Sequence, residues 1–198
     1  MNPRIAFIAA PLLTFSYGVI RIVDGLDGSR GPGPAWTIGH LAFLGAMAFF
    51  VAVFVQLRRM AGRNALATVT TVVAIAGAVA LSGQFAVDVV AGFMADDHLG
   101  MSQIIAEIRK TPGLSLAVYD VGPYLFYLGQ LGLVVQLAAT RVISVWTPLL
   151  VLFDLITPFI DKDLIPLGAL VLMISFAAIA KRIPNPTGTA STTVPALL

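Results

Sequence analysis

Six long apolar runs separated by short polar stretches organise the chain. They cover about Ile5 to Val23, Trp36 to Leu57, Leu66 to Phe93, Leu114 to Thr140, Val142 to Ile160 and Leu164 to Ala180. A bilayer core about 30 Å thick takes roughly 20 apolar residues of helix, so each run predicts a membrane span. The third and fourth runs exceed that length and predict tilt or projection beyond the membrane. The fifth and sixth are joined by Asp161-Lys162-Asp163, which predicts a tight hairpin. Pro158, deep in the fifth, predicts a kink. The predicted fold is therefore an all-α polytopic transmembrane bundle of about six spans, one domain over 1–182. Residues 183–198, rich in Pro, Thr and Ser, predict a disordered cytoplasmic tail.

Composition strengthens this picture. Of 198 residues 58% are hydrophobic and 11% charged, where a soluble domain carries roughly 25% charged, and the mean hydropathy is +0.93. Arg4 and the first run resemble the start of a signal peptide, but the run leads into Asp24-Gly25 with no small-x-small site, predicting a retained span. The net charge is +2, yet the basic residues sit beside apolar runs and form no stripe, so no nucleic-acid partner is expected. Cysteine is absent, which removes disulfide and thiolate chemistry.

The distribution of charge predicts an orientation. With the N-terminus inside, Arg4, Arg58, Arg59, Arg63, Arg141, Lys181 and Arg182 fall inside, and Arg21, Arg30, Arg109, Lys110 and Lys162 outside. That bias favours cytoplasmic termini and a multi-pass cell-membrane protein. All ten acids (Asp24, Asp27, Asp88, Asp96, Asp97, Glu107, Asp120, Asp154, Asp161 and Asp163) fall on the outer side or in the outer half of a span. The Gly- and Pro-rich stretch from Asp24 to Ala35 predicts a compact cap, and its two Asp-Gly pairs lack the further ligands of a calcium loop. Met101, Ile104, Ile105 and Ile108 share one helical face and predict a short interfacial helix over Met101 to Lys110.

Ionisable groups inside spans are costly, so each is a candidate functional group. Tyr17, Arg21 and Asp24 form one stripe, with an Arg21–Asp24 pair expected at its end. His40 lies one turn from Trp36, and Gln84 one turn from Asp88. Tyr119, Asp120, Tyr124, Tyr127 and Gln130 fall within an arc of about 140° at 100° per residue. Asp154 shares a face with Thr147 and Thr157. Polar stripes turn inward because lipid cannot satisfy them, which predicts an outward-opening pocket. Its candidate catalytic groups are Asp88, Asp154, Asp120, His40 and Asp24. Its candidate substrate-binding groups are Tyr17, Trp36, Gln84, Tyr124, Tyr127 and Phe153; neither metal nor cofactor is expected. The plainer alternatives are solvated span ends for Asp24 and Asp120, and interfacial anchoring for Trp36 and Tyr119.

A carboxyl withdrawn from water keeps its proton more readily, and a neutral acid in an apolar pocket can donate one. Asp88 or Asp154 could protonate an alkene or epoxide, the rings of Tyr124, Tyr127 and Phe153 could face a developing carbocation, and a second carboxylate or His40 could take the final proton. In its size, its several spans, its single intramembrane acids Asp88 and Asp154 and its aromatic-rich helices, the chain resembles the small integral-membrane terpene cyclases of actinobacterial meroterpenoid and indole-terpenoid pathways. It contains neither DDxxD nor DxDD. The resemblance implies metal-independent, protonation-initiated cyclisation of a prenyl chain. The expected partners are a lipophilic small molecule, membrane lipid and a second copy of the chain. A proton-coupled carrier or a non-catalytic lipid-binding protein would use the same acids, although six spans without a repeat is small for a carrier. Haem or quinone chemistry through His40 and His98 is a third reading. Rhomboid-type proteolysis is set aside for want of a Gly-x-Ser-Gly motif.

Overall fold

A computed structural model of the protein describes residues 2–183. Apart from Ile183, the tail expected to be disordered lies outside the described residues. The helices are α1 (Pro3–Asp24), α2 (Pro34–Met60), α3 (Ala65–Met94), α4 (His98–Arg109), α5 (Gly122–Ala139), α6 (Trp146–Ile160) and α7 (Ile165–Ala180). A π-helical segment, Ser115–Val121, leads into α5, and a 3₁₀ turn, Lys162–Leu164, leads into α7. The described residues contain no strand. Five helices are long and apolar enough to cross a membrane: α1, α2, α3, the Ser115–Ala139 stretch and Lys162–Ala180. At 15 residues, α6 is apolar but shorter.

Local chemistry sets the boundaries. Asn2 caps α1 by accepting from the Arg4 amide at 3.0 Å, with Pro3 in the first turn, where a missing N–H costs nothing. Gly33 and Pro34 start α2. Its last turn carries Arg58 and Arg59, which complement the negative end of the helix dipole. Asn64 caps α3 at 2.8 Å from the Ala67 amide. The helix expected from Met101 begins three residues earlier, because Asp97 accepts from the Gly100 amide at 2.7 Å and caps α4 there. The fifth apolar run is helical only from Trp146. Pro148 sits in the first turn of α6, where a missing N–H costs nothing, and Val142 to Val145 form the link between α5 and α6.

Six helices close into a ring in the order α1, α2, α3, α5, α6, α7, with α7 packing back on α1. One half of the ring is filled. Phe7, Phe54, Leu57, Leu137, Leu172 and Phe176 are wholly buried there, with Phe7 and Phe176 edge-to-face at 5.4 Å and Phe54 and Phe126 at 5.5 Å. At this end Arg4 donates to the Ile183 carbonyl at 2.6 Å and ties the start of α1 to the end of α7. The opposite end holds the acids.

Close helix approach relies on small residues. A Cβ at Gly129 of α5 would stand 2.5 Å from the backbone of Ala74 on α3, and one at Gly77 would strike the backbone of Phe126. Gly129→Val is expected to destabilise the fold by about 3 kcal/mol, the upper part of the overpacking range. Gly83→Ala, whose Cβ would meet only Val118 at 3.9 and 4.0 Å, is expected to change stability by under about 1 kcal/mol. Equilibrium unfolding in mixed micelles measures both, and equal midpoints for the two variants would contradict the α3–α5 packing.

Candidate functional site

At the acid-rich end the ring encloses a cavity of about 530 Å³, within the range of small-molecule sites. Its floor is Met47, Phe50, Leu81 and Phe126, and its middle wall carries an aromatic cluster. Phe43 and Phe85 stack with centroids 3.9 Å apart, and Tyr17 packs on them at 5.0 and 5.2 Å. Arg21, Arg30, His98 and Lys162 line the mouth.

The most ordered polar assembly joins α2 to α3. Trp36 donates its indole N–H to the Asp88 carbonyl at 3.0 Å. The indole fits because its neighbour is Gly92, where a Cβ would come within 2.8 Å of the ring. The Trp36 ring lies over His40 at 3.9 Å. His40 Nδ1 is 2.7 Å from the Trp36 carbonyl. A carbonyl only accepts, so Nδ1 must carry the hydrogen, and in the neutral ring Nε2 is the bare nitrogen. Nε2 faces Asp88 Oδ2 at 3.8 Å, too long for a direct hydrogen bond but close enough to share one proton after a small shift. The two side chains are 6% and 14% exposed, so this pair is largely withdrawn from bulk solvent.

Asp154 reaches the same cavity from α6. Its position follows from two neighbours. Pro158 cannot donate to the carbonyl four residues back, which belongs to Asp154; the Thr157 hydroxyl donates to that carbonyl instead, at 2.7 Å. The helix therefore continues through the proline. On α7, Gly168 leaves room for the carboxyl, since a Cβ there would lie 2.9 Å from Oδ1. Among the described residues, no side chain hydrogen-bonds the Asp154 carboxyl.

Nine of the sequence-derived residues line this one cavity: Asp88, Asp154, His40, Asp24, Tyr17, Trp36, Gln84, Tyr124 and Tyr127. Two do not. Asp120 is exposed and accepts from Ser115 at 3.4 Å. The 100° wheel assumed an unbroken α-helix, whereas Ser115–Val121 is π-helical. The wider turn accommodates Pro123 and turns Asp120 away from the Tyr124–Tyr127 face, while Tyr119 still lines the cavity. Phe153 points outward, 44% exposed, because it precedes Asp154 by one residue on α6. Gln130 is buried below the cavity with its amide nitrogen and oxygen unpartnered among the described residues.

The expected Arg21–Asp24 pair is replaced. Arg21 pairs with Asp163 in the α6–α7 turn, and Arg30 donates to both oxygens of the same carboxylate at 2.9 and 3.0 Å. The cause is the tight α1–α7 packing at Gly18 and Pro166, which carries Asp163 to Arg21. Sequence reasoning passed over Phe43 and Phe85. Their signal was present: Phe43 follows His40 by three residues and Phe85 precedes Asp88 by three, one helical face in each case. Arg30 and Lys162, in turns, carry no periodic signal.

No family model, no curated protein and no solved structure matches the chain.

The His40 geometry makes a direct prediction. Nitrogen-15 shifts of the His40 ring are expected to show a protonated Nδ1 at every pH at which the protein is folded. A neutral ring bearing its hydrogen on Nε2 would contradict the assembly.

Proposed function

We propose that the protein is a six-span integral membrane enzyme with both termini cytoplasmic, which cyclises an apolar isoprenoid-type substrate by protonating it. The observation that carries this reading is the pairing of Asp88 with a tautomer-fixed His40 on the wall of an aromatic cavity that also contains Asp154. The terpene-cyclase resemblance of the sequence agrees with it.

The residues divide the work as follows. The Asp154 carboxyl, which has no side-chain partner among the described residues to stabilise its charge, gives its proton to a terminal alkene carbon or epoxide oxygen of the bound chain. An internal alkene supplies the electron pair that closes the ring, and positive charge moves to carbon. The faces of Tyr17, Phe43 and Phe85 attract that charge through their quadrupoles, and the two phenylalanine rings carry no heteroatom that would quench it. Asp88, as carboxylate, or the bare Nε2 of His40 beside it takes a proton from the carbon next to the cation, leaving an alkene. One proton enters and one leaves, so the acids return to their starting state by exchange with the mouth. The filled inner half of the ring, with Phe7, Phe54 and Phe176 wholly buried, supports catalysis over carriage, since a carrier requires a path through it.

Purified protein in nanodiscs, given a prenylated aromatic substrate and its terminal epoxide, is expected to form cyclic products detectable by mass spectrometry. Asp88→Asn and Asp154→Asn are each expected to lower turnover at least about 100-fold, the usual worth of a positioned acid or base. Full turnover in both variants would exclude proton transfer by these residues. Substrate-driven proton flux into proteoliposomes, without product, would favour the carrier.

A further inference from the structure

The cavity has two boundaries closed by different chemistry. Its water-facing mouth is strapped. Asp163 binds Arg21 and Arg30 together, Arg30 donates through Nε to the Arg21 carbonyl at 3.4 Å, and the Arg30 carbonyl is in turn bonded to Nδ1 of His98 at the start of α4. These contacts fasten the α1–α2 loop, α4 and the α6–α7 turn across the opening. Arg30 reaches both oxygens of the carboxylate through one nitrogen, Nη2, and charge-assisted bonds are stronger than neutral ones.

The side wall between α5 and α6 is closed differently. This seam is the most sparsely packed of the six in the ring. At the level of the cavity it is shut by the rings of Tyr124 and Phe159, stacked with centroids 5.9 Å apart and planes 26° apart. Both residues line the cavity, yet they are 54% and 58% exposed where the cavity rings Tyr17 and Phe85 are only 8% and 7%, which puts most of their free surface outside the ring. A side chain with one face in the cavity and the other outside the ring is a wall one residue thick. Tyr127 stands behind Phe159 at 5.5 Å, on the cavity side. The surrounding outer surface is apolar, with Leu128, Ile156 and Ile160 exposed around the pair. Helix α6, at about 22 Å for 15 residues, is also the shortest in the ring, and a short helix thins the lipid beside it.

We infer that the cavity loads sideways, from the leaflet at its acid-rich end, through a portal between α5 and α6 whose door is the Tyr124–Phe159 pair. The ligand is accordingly a lipophile dissolved in the bilayer, such as a prenyl chain, rather than a molecule that arrives through water. Swinging two aromatic side chains breaks no ion pair and exposes no unsatisfied polar backbone, whereas opening the mouth breaks the shared Asp163 cluster. This inference rests on the proposed isoprenoid-type substrate, and its test does not depend on turnover.

The chain contains no cysteine and two tryptophans, which makes the test clean. Trp146→Phe, at the exposed start of α6, leaves Trp36 as the single reporter on the cavity wall. Into this background go Tyr124→Cys and Phe159→Cys, joined by a short bifunctional thiol reagent with a reducible linker. A brominated farnesol delivered from phosphatidylcholine vesicles then quenches Trp36 as it enters, and stopped-flow fluorescence gives the rate. Cross-linking is expected to slow this quenching at least tenfold and reduction to restore it. Acrylamide quenching from water is expected to stay unchanged. Tyr124→Ala is expected to speed entry of the brominated chain, and Arg30→Ala to leave it alone. An unchanged rate after cross-linking, or acceleration by Arg30→Ala equal to that by Tyr124→Ala, would overturn the portal while leaving the prenyl ligand standing. Absence of quenching in every variant would overturn the prenyl ligand itself and the portal with it.

Discussion

In an apolar surround a polar group has no water to fall back on, and the rest of this molecule follows from where its polar groups find partners. An unpaired buried donor or acceptor costs on the order of 1–3 kcal/mol in a protein interior, and a charge more. Helices carrying single acids, one histidine and several tyrosines must therefore turn them toward one another. Six such helices satisfy the requirement by closing a ring, α1 through α3, then α5 through α7. The polar stripes face inward at one end, and apolar residues fill the other. The cavity is what remains where polar and aromatic side chains are too few and too bulky to fill the space.

The same constraint governs the backbone, and here the prolines are instructive. Pro158 leaves the carbonyl of Asp154, the residue whose carboxyl enters the cavity, without its helical N–H donor. Thr157 supplies the missing donor at 2.7 Å, and α6 continues past the proline to Ile160. Pro123 has a different remedy: the chain before it widens into a π-helical segment. Such bulges are uncommon and tend to accompany functional sites. This one keeps Tyr119 on the cavity wall, where Arg109 stands over its ring at 4.6 Å, and leaves Asp120 in solvent.

Much of the architecture was legible because hydrophobic length and period are strong signals. The apolar runs located every long helix, and the depth of Asp88, Asp154, His40 and Tyr17 within them brought these residues into one cavity. The departures have specific causes. Asp120 was placed by a wheel that presupposed α-helical geometry through Pro123. Phe153 has the right chemistry, but one residue of offset from Asp154 rotates it by about 100°, out of the cavity and onto the exposed side of α6. The α6 boundary falls just before Pro148, which takes the first turn of the helix, a preference hydropathy does not register. The exchange of Asp24 for Asp163 as the partner of Arg21 is a tertiary event, set by how closely Gly18 lets α7 approach α1. Helical periodicity cannot encode a contact between residues 142 positions apart.

The chemical account reduces to one proton moving from the chain to a carbon of the substrate inside the cavity. Turnover of a prenyl substrate with a terminal alkene in heavy water tests that step directly, because the carboxyl proton exchanges with solvent before transfer while a carbon-bound proton does not. The account predicts a cyclic product carrying a single carbon-bound deuteron at the protonated position. A cyclic product free of deuterium would contradict it.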